Sequence, residues 1–157
     1  MRIVILGAIP LICAILGWLV SIKFAESQAF WEKFAYKHEK IKSDIAFLQN
    51  PLSEILETGF ETDGKKDYFS ILANDYFKNG KTTQKLKFLS AEETAFIEKY
   101  LQNLGTTDKD SQINLLKSME TEIKKYSETS YDKCKKYRPL YIKLGFLAGL
   151  VIFILVV

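Results

Sequence analysis

The 157-residue chain is short of the residues that carry most enzyme chemistry: it has one histidine, two cysteines and no glycine-rich run to cradle a phosphate. His38 has no second histidine with which to share a metal, and Cys13 and Cys134 form no CxxC pair. A metal centre or a Cys–His nucleophile therefore lacks its partners. A surplus of positive charge is missing too. Of 22 lysines and arginines, Arg2, Lys23 and Lys143 lie in or beside apolar segments, which leaves 19 against 19 acidic residues in the middle of the chain. With no basic stripe left over, nucleic acid is not expected as a partner. Glu54 and Glu57, or Glu92 and Glu93, have no identifiable companions and read as solvated helix faces. These absences predict a protein that is not an enzyme, with no catalytic residue, metal or cofactor.

What the chain does have is apolarity concentrated at its ends, which the overall figures of 48% hydrophobic and 26% charged residues conceal. Residues 3–22, IVILGAIPLICAILGWLVSI, carry no charge. At 1.5 Å per residue they match the roughly 30 Å hydrocarbon core of a bilayer. Two rival readings fit less well. A signal peptide cut near Ser27-Gln28-Ala29 would have Lys23 and Glu26 between its core and the cut, and a lipoprotein site at Cys13 would follow the bulky Ile12. Residues 140–157, LYIKLGFLAGLVIFILVV, make a second span if Lys143 reaches back to the headgroups, with Tyr137 and Tyr141 in the place of an aromatic belt. Lys133, Lys135, Lys136, Arg138 and Lys143 flank the second span, Lys23, Lys33 and Lys37 follow the first, and only Arg2 opposes them. The positive-inside rule then puts the middle domain in the cytosol and both termini outside.

The middle reads as helices. From Ala25 to Gln49 there is no Gly or Pro, and Trp31, Phe34, His38, Ile41, Ile45 and Leu48 recur at spacings of three and four. His38 sits in that apolar seam, which suits a packed histidine better than a ligand. Asn50-Pro51 opens a short helix expected to run to Gly59 with Leu52, Ile55 and Leu56 inward. Glu61 to Asp67 reads as a loop. The next helix carries Tyr68, Phe69, Ile71, Leu72, Tyr76 and Phe77 and stops at Asn79-Gly80. Thr82 to Leu89 is ambiguous. Ser90-Ala-Glu-Glu93 is a capping box opening a helix with Phe96, Ile97, Tyr100, Leu101 and Leu104 inward and Gly105 as its stop. The last helix runs from Asp108 to Arg138-Pro139 and, at about thirty residues or roughly 45 Å, is long enough to feed into the second span. The expected fold is all-α: a bundle of five to six helices in residues 24–138, flanked by transmembrane helices in 1–23 and 139–157. Within the second span, Gly145 and Gly149 form a small-xxx-small pattern that could pack against a second copy or against Gly7, Ala14 or Gly17 of the first.

Several ordered segments resemble the stage III sporulation protein AB family of endospore-forming bacteria. They are Gly7-Ala8 in the first span, IKSDIAFLQNPLSEIL, LSAEETAFIEKYLQNLGTTDKDSQINLL and the terminal YIKLGFLAGLVIFILV. The residues that carry the resemblance are Asp44-Ile45 with Pro51, Leu52, Glu54 and Leu56, then Leu104, Gly105, Asp108 and Gln112, and finally Gly145 and Gly149. The likeness covers nearly the whole chain, although Thr82 to Leu89 is shorter than the family pattern.

That resemblance implies a component of the channel complex in the mother-cell membrane around the developing forespore. The family's cytosolic domain is similar to the inner-membrane platform protein of type II secretion and type IV pilus machines. Its implied partners are a secretion-type ATPase (the sporulation AA protein) and other membrane subunits of the same operon. On this reading Glu54, Glu57, Asp108 and Gln112 lie in partner-binding regions, and Gly145 and Gly149 pack membrane helices. Glu54 near a helix start and Asp108 as a cap also have purely structural roles open to them. Two other classes remain: a membrane-anchored helical relay subunit, and a membrane hydrolase whose carboxylates converge only in the folded chain.

Overall fold

The computed structural model of the protein describes residues 2–47, 67–82 and 86–156, with side chains from 10 to 155. Four helices and no strand occur among the described residues: α1 (Arg2–Phe47), α2 (Tyr68–Asn79), α3 (Ala91–Asn103) and α4 (Lys109–Val156). The all-α expectation holds, but the count of five to six bundle helices plus two spans does not. Each apolar end and its neighbouring bundle helix form one continuous helix. α4 passes through the exposed Pro139 without ending there. Proline removes one backbone donor and crowds the carbonyl four residues before it, and a helix of 48 residues tolerates that local loss. Of the stretch left open at Thr82 to Leu89, residues 83–85 lie outside the described residues and 86–89 make a turn, closed by Leu89 N–H donating to the Leu86 carbonyl at 3.1 Å. The helix expected from Pro51 to Gly59 lies outside the described residues.

The chain divides into two compact units, one made of Met1–Gln28 with Thr129–Val157 and the other of Ala29–Glu128. The middle unit is built on aromatic packing. Trp31, Phe34, His38, Ile41 and Ile45 are all buried along α1, as their spacing predicts. Phe96, Ile97, Tyr100, Leu101 and Leu104 form the matching face of α3 and its cap, and Leu116, Met119 and Ile123 that of α4. Trp31 stacks on Tyr126 with centroids 4.7 Å apart, and Phe34 stacks on Phe69 at 4.2 Å while meeting Tyr100 edge-on at 4.9 Å. Rings in offset and edge contacts each add about 0.5–1.5 kcal/mol to the area they bury. Of the six apolar residues that α2 was expected to carry, Phe69 and Leu72 are buried, Tyr68, Ile71 and Tyr76 are half-buried, and Phe77, at the end of the helix, is exposed.

The local signals act as anticipated at both short helices. Asp67 caps α2, accepting from Ser70 N–H at 3.3 Å, and Gly80 closes it in the left-handed region at φ 70°. Ser90 and Glu93 form the reciprocal capping box of α3.

The terminal unit is packed by small residues. A Cβ placed on Gly17 would lie 2.5 Å from the Tyr141 carbonyl oxygen, one on Gly145 2.5 Å from that of Cys13, and one on Gly149 2.5 Å from Cα of Pro10. Backbones this close admit nothing larger than glycine at the crossing. Phe24 stacks on Tyr137 and Tyr141, each at 5.6 Å. Both helices are long and apolar enough here to cross a membrane, and only 17% and 6% of their most apolar windows are buried within the protein. Leu11, Ile15, Leu19, Leu144, Leu147 and Val151 point outward. For a soluble core helix that ratio would be reversed.

Candidate functional site

Of the partner-binding residues expected from the sequence, Asp108 and Gln112 meet at the turn between α3 and α4. Gly105 takes the left-handed conformation at φ 76° that ends α3. Exposed Asp108 then caps α4, accepting from Ser111 N–H at 3.3 Å, and bonding to Ser111 holds its carboxyl below the ordinary aspartate pKa. Gln112 is fully buried. Its Oε1 accepts from Gly105 N–H at 3.1 Å and from Thr107 Oγ1 at 3.2 Å, so its amide ties the turn to α4. The exposed surface of this turn is therefore Thr106, Thr107, Asp108 and Lys109, with Gln112 beneath it. Glu54 and Glu57 lie outside the described residues.

Gly145 and Gly149 meet Cys13, Gly17 and Pro10, as the terminal unit's packing requires. The small-xxx-small motif is thus used within the chain, against the first apolar helix.

The middle unit contains polar clusters that no local pattern announces. Lys37 and Asp67 form an ion pair at 2.8 Å with side chains 7% and 0% exposed. Ser70 completes it, accepting from Lys37 Nζ at 2.5 Å and donating to Asp67 Oδ2 at 3.1 Å. Lys37 was expected to flank the first span, but its charge is spent inside the bundle. Glu93 is likewise occupied: Oε2 accepts from Ser90 N–H at 2.7 Å and Oε1 from Trp31 Nε1 at 3.0 Å. The carboxylate expected on a solvated face instead joins α3 to the core of α1.

His38 is buried with Nδ1 3.2 Å from the Tyr100 hydroxyl, and its Nε2 meets no partner among the described residues. Burial lowers its pKa and raises that of Tyr100, which favours the neutral form of both. His38, Glu39 and Glu120 bring ligand-type atoms within 4.8 Å of one another, a grouping missed because Glu120 is remote in sequence. Ammonium groups already serve these carboxylates. Lys42 reaches both Glu39 and Glu120 at 2.8 Å, and Lys124 reaches the other Glu120 oxygen at 2.6 Å. Bonds to Lys124 and then Lys42 hold the Glu120 carboxyl down at about 2. Burial opposes the charge on Lys42, but its bonds to Glu120 and Glu39 outweigh that and raise its pKa. The arrangement is a neutralised cross-helix tie, with Lys42 where a bound cation would compete.

Together these features define a class: an all-helical protein with two helices able to cross a membrane and a helical middle unit whose grouped carboxylates are held by caps and lysines. The model of the stage III sporulation protein AB family matches residues 2–157, and the chain belongs to that family. Membership gives it a role in sporulation. No curated protein and no solved structure matches the chain.

Proposed function

We propose that the protein is a non-enzymatic platform of the mother-cell-to-forespore channel complex, which couples a cytosolic secretion-type ATPase to membrane subunits. The observation that carries this reading is that the same two helices are fastened to each other in both units by different means. In the middle unit α1 is held to α4 by the Trp31–Tyr126 stack and the Lys42–Glu120 pair; in the terminal unit the glycine crossing joins them. A component that holds membrane subunits in position needs such fastening more than it needs a reactive cleft. The grouped carboxylates support a role without catalysis, because Asp67, Glu93, Glu39 and Glu120 all serve caps or ion pairs.

The exposed cations Lys23, Lys133, Lys135, Lys136, Arg138 and Lys143 favour a cytosolic middle unit with both termini outside. The ATPase then meets the middle unit, and the turn around Asp108 and the segment of Glu54 and Glu57 are the surfaces assigned to it. The purified ATPase, assayed with the full-length protein in nanodiscs, should hydrolyse ATP severalfold faster than with empty nanodiscs. Charge reversal at Glu54 and Asp108 should remove that gain while leaving helicity intact. Equal rates with loaded and empty discs would count against the coupling.

A further inference from the structure

Charge is distributed very differently in the two units. In the middle unit Lys37, Lys42 and Lys124 are spent in ion pairs with Asp67, Glu39 and Glu120. In the terminal unit Lys23, Lys133, Lys135, Lys136, Arg138 and Lys143 are all exposed, and none forms an ion pair among the described residues. Only Glu26 and Asp132 oppose them in that unit. Aromatic rings hold three of the cations against the helices: Lys23 lies over Phe24 at 5.0 Å, Lys136 over Tyr137 at 5.5 Å and Lys135 over Tyr131 at 5.9 Å. The Phe24 contacts with Tyr137 and Tyr141 bring the Lys23 turn beside the others, so the group belongs to both helices.

Its depth also fits a membrane surface. From Lys133 to Lys143 is about 15 Å of helix, the scale of a headgroup layer and the carbonyl region beneath it. Side chains on a helix lean toward its N-terminus, so Lys143, with Leu144 and Leu147 just beyond it, leans back toward the Lys136 turn. The rings supply the amphipathic bodies that settle at this level.

We propose that these six side chains form a collar that binds the phosphate headgroups of anionic phospholipids, selecting them over zwitterionic ones. The collar rests on the reading of the two apolar helices as membrane spans. Phosphates of several lipids would share these cations, which gives a partner to the excess positive charge of the terminal unit, whereas in the middle unit 15 lysines stand against 17 acidic residues.

The test uses the full-length protein purified in a mild detergent and reconstituted into vesicles of mixed phosphatidylglycerol and phosphatidylcholine. Both the wild type and the K133Q/K135Q/K136Q/R138Q variant should float with these vesicles, because the apolar helices hold them there. The lipid that stays with the protein on re-extraction should be enriched severalfold in phosphatidylglycerol for the wild type. That enrichment should fall to parity in the variant, weaken at high salt, and return in K133R/K135R/K136R with Arg138 retained. Excess soluble glycerol phosphate should not abolish it, which separates a lipid surface from a simple phosphate site. Flotation without enrichment, or equal enrichment in wild type and variant, would overturn the collar alone. Failure to float with the vesicles would overturn the membrane reading along with it.

Discussion

The two units use the same two helices and opposite chemistry. The middle unit excludes water with rings and pairs the charges it buries among the described residues, so its stability depends on large side chains and on completed ion pairs. The terminal unit buries little, is joined by three glycines and the Phe24 stack, and has no cation in an ion pair among the described residues. The difference teaches that long helices do not need uniform sequence logic. One stretch is specified by what fills a core and the other by what is small enough to be left out of it, and substitutions of opposite kinds should damage each.

The largest expected effect is in the middle unit. Replacing Asp67 with Ala removes the carboxylate that faces the buried Lys37 ammonium and should cost about 3–5 kcal/mol, measured as the shift of the urea transition of the full chain in detergent. A Lys37→Met/Asp67→Leu double substitution should recover most of that loss, since two apolar groups leave no unpaired charge. A loss below about 1 kcal/mol for Asp67→Ala would place that ammonium in water.

Next, Gly145→Leu should open the terminal unit and spare the other. In a Cys134→Ala background, maleimide labelling of the half-buried Cys13 should become severalfold faster while the urea transition of the middle unit stays in place. Unchanged labelling would contradict the glycine crossing.

A smaller effect separates the units by pH. His38 has its pKa lowered by burial, with Glu39, Lys42, Glu120 and Lys124 also acting on it, so the unfolded chain takes up this proton first. Its contribution is complete above the unfolded value near 6.5 and is lost as the pH falls, at no more than about 1.4 kcal/mol per pH unit. His38→Asn should flatten that slope in pH-dependent denaturation, and the terminal unit, which has no histidine, should not share it.

The smallest is Glu120→Gln, which removes an ion-pair acceptor partly open to solvent and should cost under about 1 kcal/mol at neutral pH. Because its carboxyl is depressed to about 2, the contribution stands above the unfolded value near 4.3 and disappears as the pH falls through 2.

Much of the middle unit was legible because its signals are local. Spacings of three and four marked Trp31, Phe34, His38, Ile41 and Ile45, and Ser90 with Glu93 marked a helix start that forms as read. The exposure of Phe77 was not legible, because periodicity says which face a residue occupies but not whether a neighbour covers the end of that face. The ion pairs were invisible for a related reason. Lys42 and Glu120 stand 78 positions apart, and Lys37 and Asp67 meet only because α2 folds onto α1, so no spacing rule connects them. Asp67 itself was read as the end of a loop, and a capping pattern at that position would have been the only hint. The glycine motif was legible as a close approach but not in its partner, since lone small residues fit many neighbours.

In the proposed function the middle unit recruits a secretion-type ATPase to the membrane. The most direct measurement is affinity purification of the tagged full-length protein from sporulating cells, in mild detergent, with quantification of the ATPase in the eluate. The account predicts reproducible recovery, reduced by charge reversal at Asp108 and Glu54 but retained in Gly145→Leu. Consistent absence of the ATPase, with the tagged protein itself recovered intact from the membrane fraction, would contradict it.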